Sequence, residues 1–190
     1  MQGRVLGLAA LSAISILLLY GLSLEAVHLA AFAAILVVIA DVDRAIRRIP
    51  NALVLAAFSV RILYIAIMWF GNAGEASSLL AESLIGAVVI GGGLLVFTMI
   101  ADYLRGGESM GGGDIKLLGV VGFYFGLSVG LAVTAAACAL GACATLLLQR
   151  PSREAPDSRP GTFPLGPAIA ASAIAAMLVL CPPIQSLLFF

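Results

Sequence analysis

Charge is scarce in this chain. Of its 190 residues, 11% are Asp, Glu, Lys or Arg, against about 25% in a soluble domain. The ten basic and ten acidic side chains cancel, so the basic patch that a nucleic-acid partner requires is missing. Histidine is nearly absent, with His28 alone. A His-based metal site therefore lacks ligands, and no Ser-His or Cys-His catalytic pair can be assembled at the charged ends of the apolar segments. Neither a metal nor another cofactor is expected. The three cysteines, Cys138, Cys143 and Cys181, are odd in number, form no CxxC and lie in apolar stretches. They read as small apolar residues facing lipid or a neighbouring helix. What the chain has in abundance is apolar surface: 62% of residues are hydrophobic and the mean hydropathy is +1.15. A folded core of this size cannot hide that much apolar surface from water, and a disordered chain would be polar. The remaining solvent is lipid.

A bilayer core of about 30 Å requires about 20 helical residues. Apolar runs lie at about 5–20, 27–42, 52–70, 79–101, 115–130, 131–149 and 163–182. The 115–149 block reads as two helices or one kinked hairpin. The expectation is an all-α, polytopic membrane bundle of six or seven transmembrane helices. Leu24-Glu25-Ala26 is a poor small-x-small cleavage site, and a second apolar run follows at once, so the first run reads as a retained span rather than a signal peptide.

Orientation follows from Arg and Lys in the short loops. Arg4 precedes span one; Arg44, Arg47 and Arg48 follow span two; Arg105 and Lys116 flank the loop after span four; Arg150, Arg153 and Arg159 lie in a Pro-rich loop at 149–162. The intervening loops carry Glu25 and Glu75 and no basic residue. The N-terminus and the even-numbered loops are thus predicted to be cytoplasmic. Asp43 and Asp114 are separated by an even number of crossings, which places both at the cytoplasmic membrane face.

Ionisable groups at membrane depth are expensive and suggest function. Asp41, Asp102 and Glu108 also read simply as span ends, with Arg44 or Arg105 as partners. Arg61, about ten residues into span three, either snorkels or pairs with a carboxylate. His28, near the outer end of span two, reads as interfacial. Gly122, Gly126 and Gly130 repeat every four residues, a smooth stripe for helix packing. Gly86 and Gly91 to Gly93 serve the same packing or give a mobile helix that admits substrate.

Two segments carry more information. Gly111-Gly112-Gly113-Asp114-Ile115-Lys116 puts three conformationally free residues before an acid that opens an apolar helix. That acid is a helix cap, or the glycines let a peptide backbone and a second carboxylate reach it. Asp43-Arg44-Ala45-Ile46-Arg47-Arg48-Ile49-Pro50-Asn51 reads as a basic loop with Pro50 and Asn51 as the start of span three, Asn51 as its cap. Taken together, two acids on one side of a membrane can share a proton, because two like charges about 3 Å apart cannot both ionise easily. The charged partner takes a proton from water while the protonated partner donates to a scissile carbonyl, with no covalent intermediate.

The chain resembles the type IV prepilin peptidases, GxGD-type intramembrane aspartyl proteases. The resemblance rests on Gly111-Gly112-Gly113-Asp114-Ile115-Lys116-Leu117-Leu118 as GxGDxKL, and on Asp43, Pro50 and Asn51 as the D-x6-P-N arrangement of the short, tight-adherence pilin branch. Glu108-Ser109-Met110 matches the acidic lead-in, and Phe163-Pro164-Leu165-Gly166-Pro167 the late P-x-G-P segment. It covers about residues 30–175 and implies a single integral-membrane peptidase domain over 1–190. By the resemblance, Asp43 and Asp114 are the catalytic pair, with Asp41 disfavoured by its spacing to Asn51. Lys116, Glu108, Gly111, Gly112, Gly113 and Asn51 are supporting or substrate-binding residues. The implied substrates are prepilins or pseudopilins carrying a short basic leader and a transmembrane helix, cleaved at the cytoplasmic face of the bacterial inner membrane in type IV pilus assembly or protein secretion. Long members of the family carry an N-terminal region with paired cysteines and methylate the new N-terminus. Here one apolar span precedes the Asp43 segment, so peptidase activity alone is expected. The alternatives are a carboxylate-dependent membrane transporter, a non-catalytic scaffold, or a GxGD protease with other substrates. No internal repeat is visible and the acids cluster at span ends rather than midplane, which disfavours the transporter.

Overall fold

A computed structural model describes residues 2–106, 110–148 and 165–179, all of whose regular structure is helical. Helix α1 covers Gln2–Tyr20, α2 Leu24–Ile46, α3 Asn51–Gly71, α4 Ala73–Ala87, α5 Gly93–Arg105, α6 Gly112–Leu148 and α7 Gly166–Val179. A π-helical turn, Val88–Gly92, joins α4 to α5. Five stretches are long and apolar enough to cross a membrane, with α4 through α5 acting as one, and α7 is a shorter apolar helix. The chain is a multi-pass membrane protein of the all-α class.

Local chemistry sets the boundaries. Gly21 leaves α1 at φ 70°, and the Ser23 hydroxyl then caps α2 by accepting the Ala26 N–H at 3.0 Å. Arg47 ends α2 in the left-handed region, its N–H donating to the Asp43 carbonyl. The Asn72 side chain caps α4 by accepting from the N–H groups of Gly74 and Glu75. Each cap satisfies amides or carbonyls that the helix itself leaves unpaired.

The block read as spans five and six is a hairpin. Gly126 holds φ 68°, ψ −169°, a conformation open essentially to glycine alone. A Cβ built on Gly130 would lie 3.1 Å from the Gly122 Cα, whereas residues eight apart in a straight helix are about 12 Å apart. The chain therefore reverses at Gly126 and forms two arms, 112–125 and 127–148, so seven apolar segments stand in the bundle. The turn comes four residues before the predicted break at 130. The expected stripe of Gly122, Gly126 and Gly130 on one helix face is corrected: Gly126 is the turn, and Gly122 faces Gly130 across it. On the other side the first arm crosses α4 with backbone almost touching backbone. A Cβ on Gly122 would sit 2.5 Å from the Gly86 carbonyl oxygen, and one on Gly91 would sit 3.1 Å from the Gly119 Cα. Beyond the π turn, α5 leaves the bundle: Thr98 is its one buried described side chain, while Leu95, Val96, Phe97, Met99, Ile100 and Leu104 are 50–75% exposed.

The core runs through the middle of α2, the first arm of α6, and α7. Phe32, Leu36, Ile39, Leu117, Leu118, Val121 and Ile169 are fully enclosed there. Helix α7 packs against α2 and α6, and α1 lies outside against α2.

Candidate active site

Three chain segments meet at one end of the bundle: the last turn of α2, the first turn of α6 and the first residue of α7. Asp43 is buried at 5% exposure, three residues before the end of α2. Its Oδ2 accepts the Gly166 N–H at 2.9 Å. Gly166 opens α7, so the carboxylate sits where that helix presents unpaired N–H groups and the positive end of its dipole. Glycine is required there, since a Cβ on residue 166 would lie 2.7 Å from that same oxygen.

Asp114 is half-buried and is the third residue of α6, with its own N–H bonded to the Gly111 carbonyl at 3.0 Å. Gly111 precedes the helix, so the expected role of Asp114 as cap is corrected to a first-turn acid, where its charge still favours the helix dipole. Asp43 is close enough to act electrostatically on Asp114. The two acids, 71 positions apart in sequence, thus lie near one another at this end of the bundle. Asp41 is half-buried on the same turn of α2 as Asp43, and no interaction ties it to this cluster.

The three glycines have separate surroundings. A Cβ on Gly113 would meet the Ile49 Cβ at 3.1 Å, and one on Gly111 would meet the Asp114 Oδ2 at 3.1 Å. Gly112 faces open space, with nothing within 4 Å. Gly113 therefore lets the loop after α2 lie against the start of α6, and Gly111 and Gly112 keep the approach to Asp114 free of side chains.

Lys116 is exposed and its Nζ donates to the Asn51 Oδ1 at 3.1 Å. This bond joins the two segments that the sequence singled out. It also corrects the expected capping role of Asn51: Pro50 is the N-cap of α3, without a side-chain bond, and Asn51 is the first helical residue. Glu108 lies outside the described residues, as do Ser109, Phe163 and Pro164. Among the described residues, no three His, Cys, Asp or Glu side chains converge as a metal site would demand.

A second polar cluster lies farther along the bundle. Arg61, 6% exposed, is 3.2 Å through Nη1 from the His28 Nε2 and donates from Nη2 to the Ser83 Oγ at 3.3 Å. Its guanidinium lies over the rings of Tyr64 and Tyr124, 5.6 and 5.5 Å from their centroids. The snorkelling reading of Arg61 is thus corrected, since it is enclosed; its direct contacts are imidazole, hydroxyl and aromatic faces, and Glu25 and Glu82 act on it from farther away. His28, the fifth residue of α2, is buried in the protein and stacked 3.9 Å from Tyr64.

Gly166 is the site residue that inspection of side-chain chemistry passes over, because it contributes a backbone N–H. The P-x-G-P resemblance was the available signal.

Comparison with known proteins adds the following. Residues 29–146 match the profile of the type IV leader peptidase family. A Bacillus subtilis (strain 168) protein described as a prepilin leader peptidase/N-methyltransferase is 33% identical over 162 residues, which is 84% of this chain and 58% of that protein. The chain thus spans less than two thirds of the relative it matches. No solved structure matches it.

Proposed function

Because the chain belongs to the type IV leader peptidase family, we propose that it removes the short basic leader of a prepilin or pseudopilin, as an aspartyl endopeptidase with Asp43 and Asp114 as its catalytic pair. The observation that carries this reading is that Asp43, held by the first amide of α7, lies at the same end of the bundle as the start of α6 bearing Asp114, where Gly113 lets that start lie against Ile49 of the loop after α2. In this reading that end faces the cytoplasm of a bacterial inner membrane, as the Arg44, Arg47, Arg48 and Lys116 cluster predicts.

The pair works by general acid–base catalysis. Two neighbouring carboxylates share one proton, since ionising both would set like charges side by side. The Gly166 N–H and the N-terminus of α7 stabilise charge on Asp43, which suits Asp43 to be the base. It takes a proton from a water molecule, whose oxygen attacks the scissile carbonyl carbon. Asp114 gives its proton to the carbonyl oxygen as that bond becomes single. Collapse of the tetrahedral species breaks the C–N bond, and a proton passes from the pair to the departing amine. Lys116 and Asn51 hold the start of α3 against α6 and keep the mouth of the site in place.

The test is leader removal, read as a mobility shift, from a panel of prepilins in membranes containing wild type, Asp43→Asn or Asp114→Asn. Each substitution is expected to lower the rate at least about 100-fold, the scale of a lost general acid or base. Full cleavage by either variant overturns the reading. The pH dependence should be bell-shaped. Activity falls at low pH as the base is protonated and at high pH as the acid loses its proton. A profile flat across both limbs is inconsistent with a shared proton.

A further inference from the structure

The two acids sit on different helices, and the contacts beside them join α6 to the loop after α2 and to α3 rather than to α2 itself. Their depth is also set from a distance. Phe32 of α2 and Tyr124 of α6 stack almost parallel, with ring centroids 3.5 Å apart and 9° between planes. Both rings are buried. From Phe32 to Asp43 is 11 residues of unbroken α-helix, a rise of about 16.5 Å; from Asp114 to Tyr124 is 10 residues, a rise of about 15 Å. The helices run antiparallel, so both acids lie on the same side of the stack, level to within about 1.5 Å.

The stack is braced from a third helix. The Tyr124 hydroxyl donates to the Ala57 carbonyl of α3 at 3.0 Å. Arg61, one turn farther along α3, lies over the Tyr124 ring and reaches His28 of α2 and Ser83 of α4. A helix register can slip only by whole turns or by unstacking these groups, because packed cores have discrete arrangements. With α6 also tied to α3 at Lys116–Asn51, the first arm is fixed at two heights.

We infer that Tyr124, stacked on Phe32 and braced by Ala57 and Arg61, is a positioning residue that sets Asp43 and Asp114 at one depth so that they can act on one peptide bond. This rests on the catalytic reading above. The predicted signature of losing the stack is a fall in kcat with little change in KM, because the substrate still binds but the pair is out of register. A displacement of about 1 Å can cost on the order of 100-fold in rate.

The experiment compares Tyr124→Phe, which keeps the ring and loses the hydroxyl, with Tyr124→Leu, which loses the ring. Cleavage kinetics are read beside a distance measurement that does not depend on activity. For the latter, nitroxide labels are placed through Ala45→Cys and Gly112→Cys, at exposed sites two residues from each acid, the second with nothing within 4 Å of an added Cβ, in the full chain with its native cysteines replaced by serine. Expected are a kcat within a few-fold of wild type for Tyr124→Phe, and at least a tenfold loss with KM within about twofold for Tyr124→Leu. The label distance should shift or broaden in Tyr124→Leu alone. An unchanged distance in Tyr124→Leu overturns the inference, whatever the activity. A shifted distance with kcat unchanged overturns it as well. A wild type that cleaves no prepilin, with the distance still shifting, overturns the catalytic reading and leaves the register finding intact.

Discussion

At the scale of single residues, the Asp43–Gly166 contact is the tightest constraint in the site. A methyl group on residue 166 would come within 2.7 Å of the carboxylate oxygen, and the only escape is to push Asp43 aside or lift the start of α7. Gly166→Ala is therefore expected to lower leader cleavage by on the order of 100-fold while the protein still purifies as a folded bundle. The same assay with Gly93→Ala, where nothing lies within 4 Å, should show wild-type activity. If Gly166→Ala cleaves normally, the amide bond to Asp43 has no part in catalysis. Carboxylates beside apolar helix are rare enough to stand out, but among Asp41, Asp43, Asp102, Glu108 and Asp114 it was motif resemblance that singled out Asp43 and Asp114. Gly166 was legible only through motif resemblance, since its contribution is a main-chain N–H. Arg61 stood out as an ion within an apolar run, yet its surroundings did not. Its direct neighbours are a ring nitrogen, a hydroxyl and two aromatic faces, which no spacing in the sequence points to.

At the scale of elements, the crossing of α4 with the first arm of α6 depends on missing side chains. Gly86, Gly122 and Gly126 bring main chains into contact, and Gly91 meets Gly119. Close approach of this kind supplies dispersion contacts and weak Cα–H···O bonds in place of the hydrophobic effect, which is weak between helices in lipid. Gly122→Ala should lower stability by about 1–3 kcal/mol or more, read as the midpoint of thermal or denaturant unfolding in detergent. Equal midpoints for Gly122→Ala and wild type would show that the crossing can separate freely. The helices themselves were readable from apolar run lengths, and all seven predicted runs have a helical counterpart. The hairpin was foreseen only as one option. Its turn was misplaced because glycines spaced by four look the same whether they line a face or break the chain. Only the positive φ of Gly126 distinguishes the two cases.

At the scale of the whole molecule, the alternation of basic and acidic loops and the antiparallel order of the helices agree. The loop at Leu22 and the loop at Arg48 lie at opposite ends of α2. In a cysteine-free background, Leu22→Cys and Arg48→Cys should react with an impermeant thiol reagent from opposite sides of sealed cells or inverted vesicles. Leu22→Cys labelled from the cytoplasmic side and Arg48→Cys from outside would reverse the proposed orientation of the site, and labelling of both from one side would show that α2 does not cross. The hairpin at Gly126 also bears on how the protein is made. Its first arm rises about 21 Å, short of the roughly 30 Å that an independently inserted span requires. That arm begins with glycines, ends in a turn, and finds its packing surface on α4. During synthesis it has no stable place in the bilayer until the second arm has emerged from the ribosome and α4 is already in the membrane. The segment bearing Asp114 thus enters the membrane together with the arm that follows it, and Asp114 meets Asp43 only once residues 127–148 have been made.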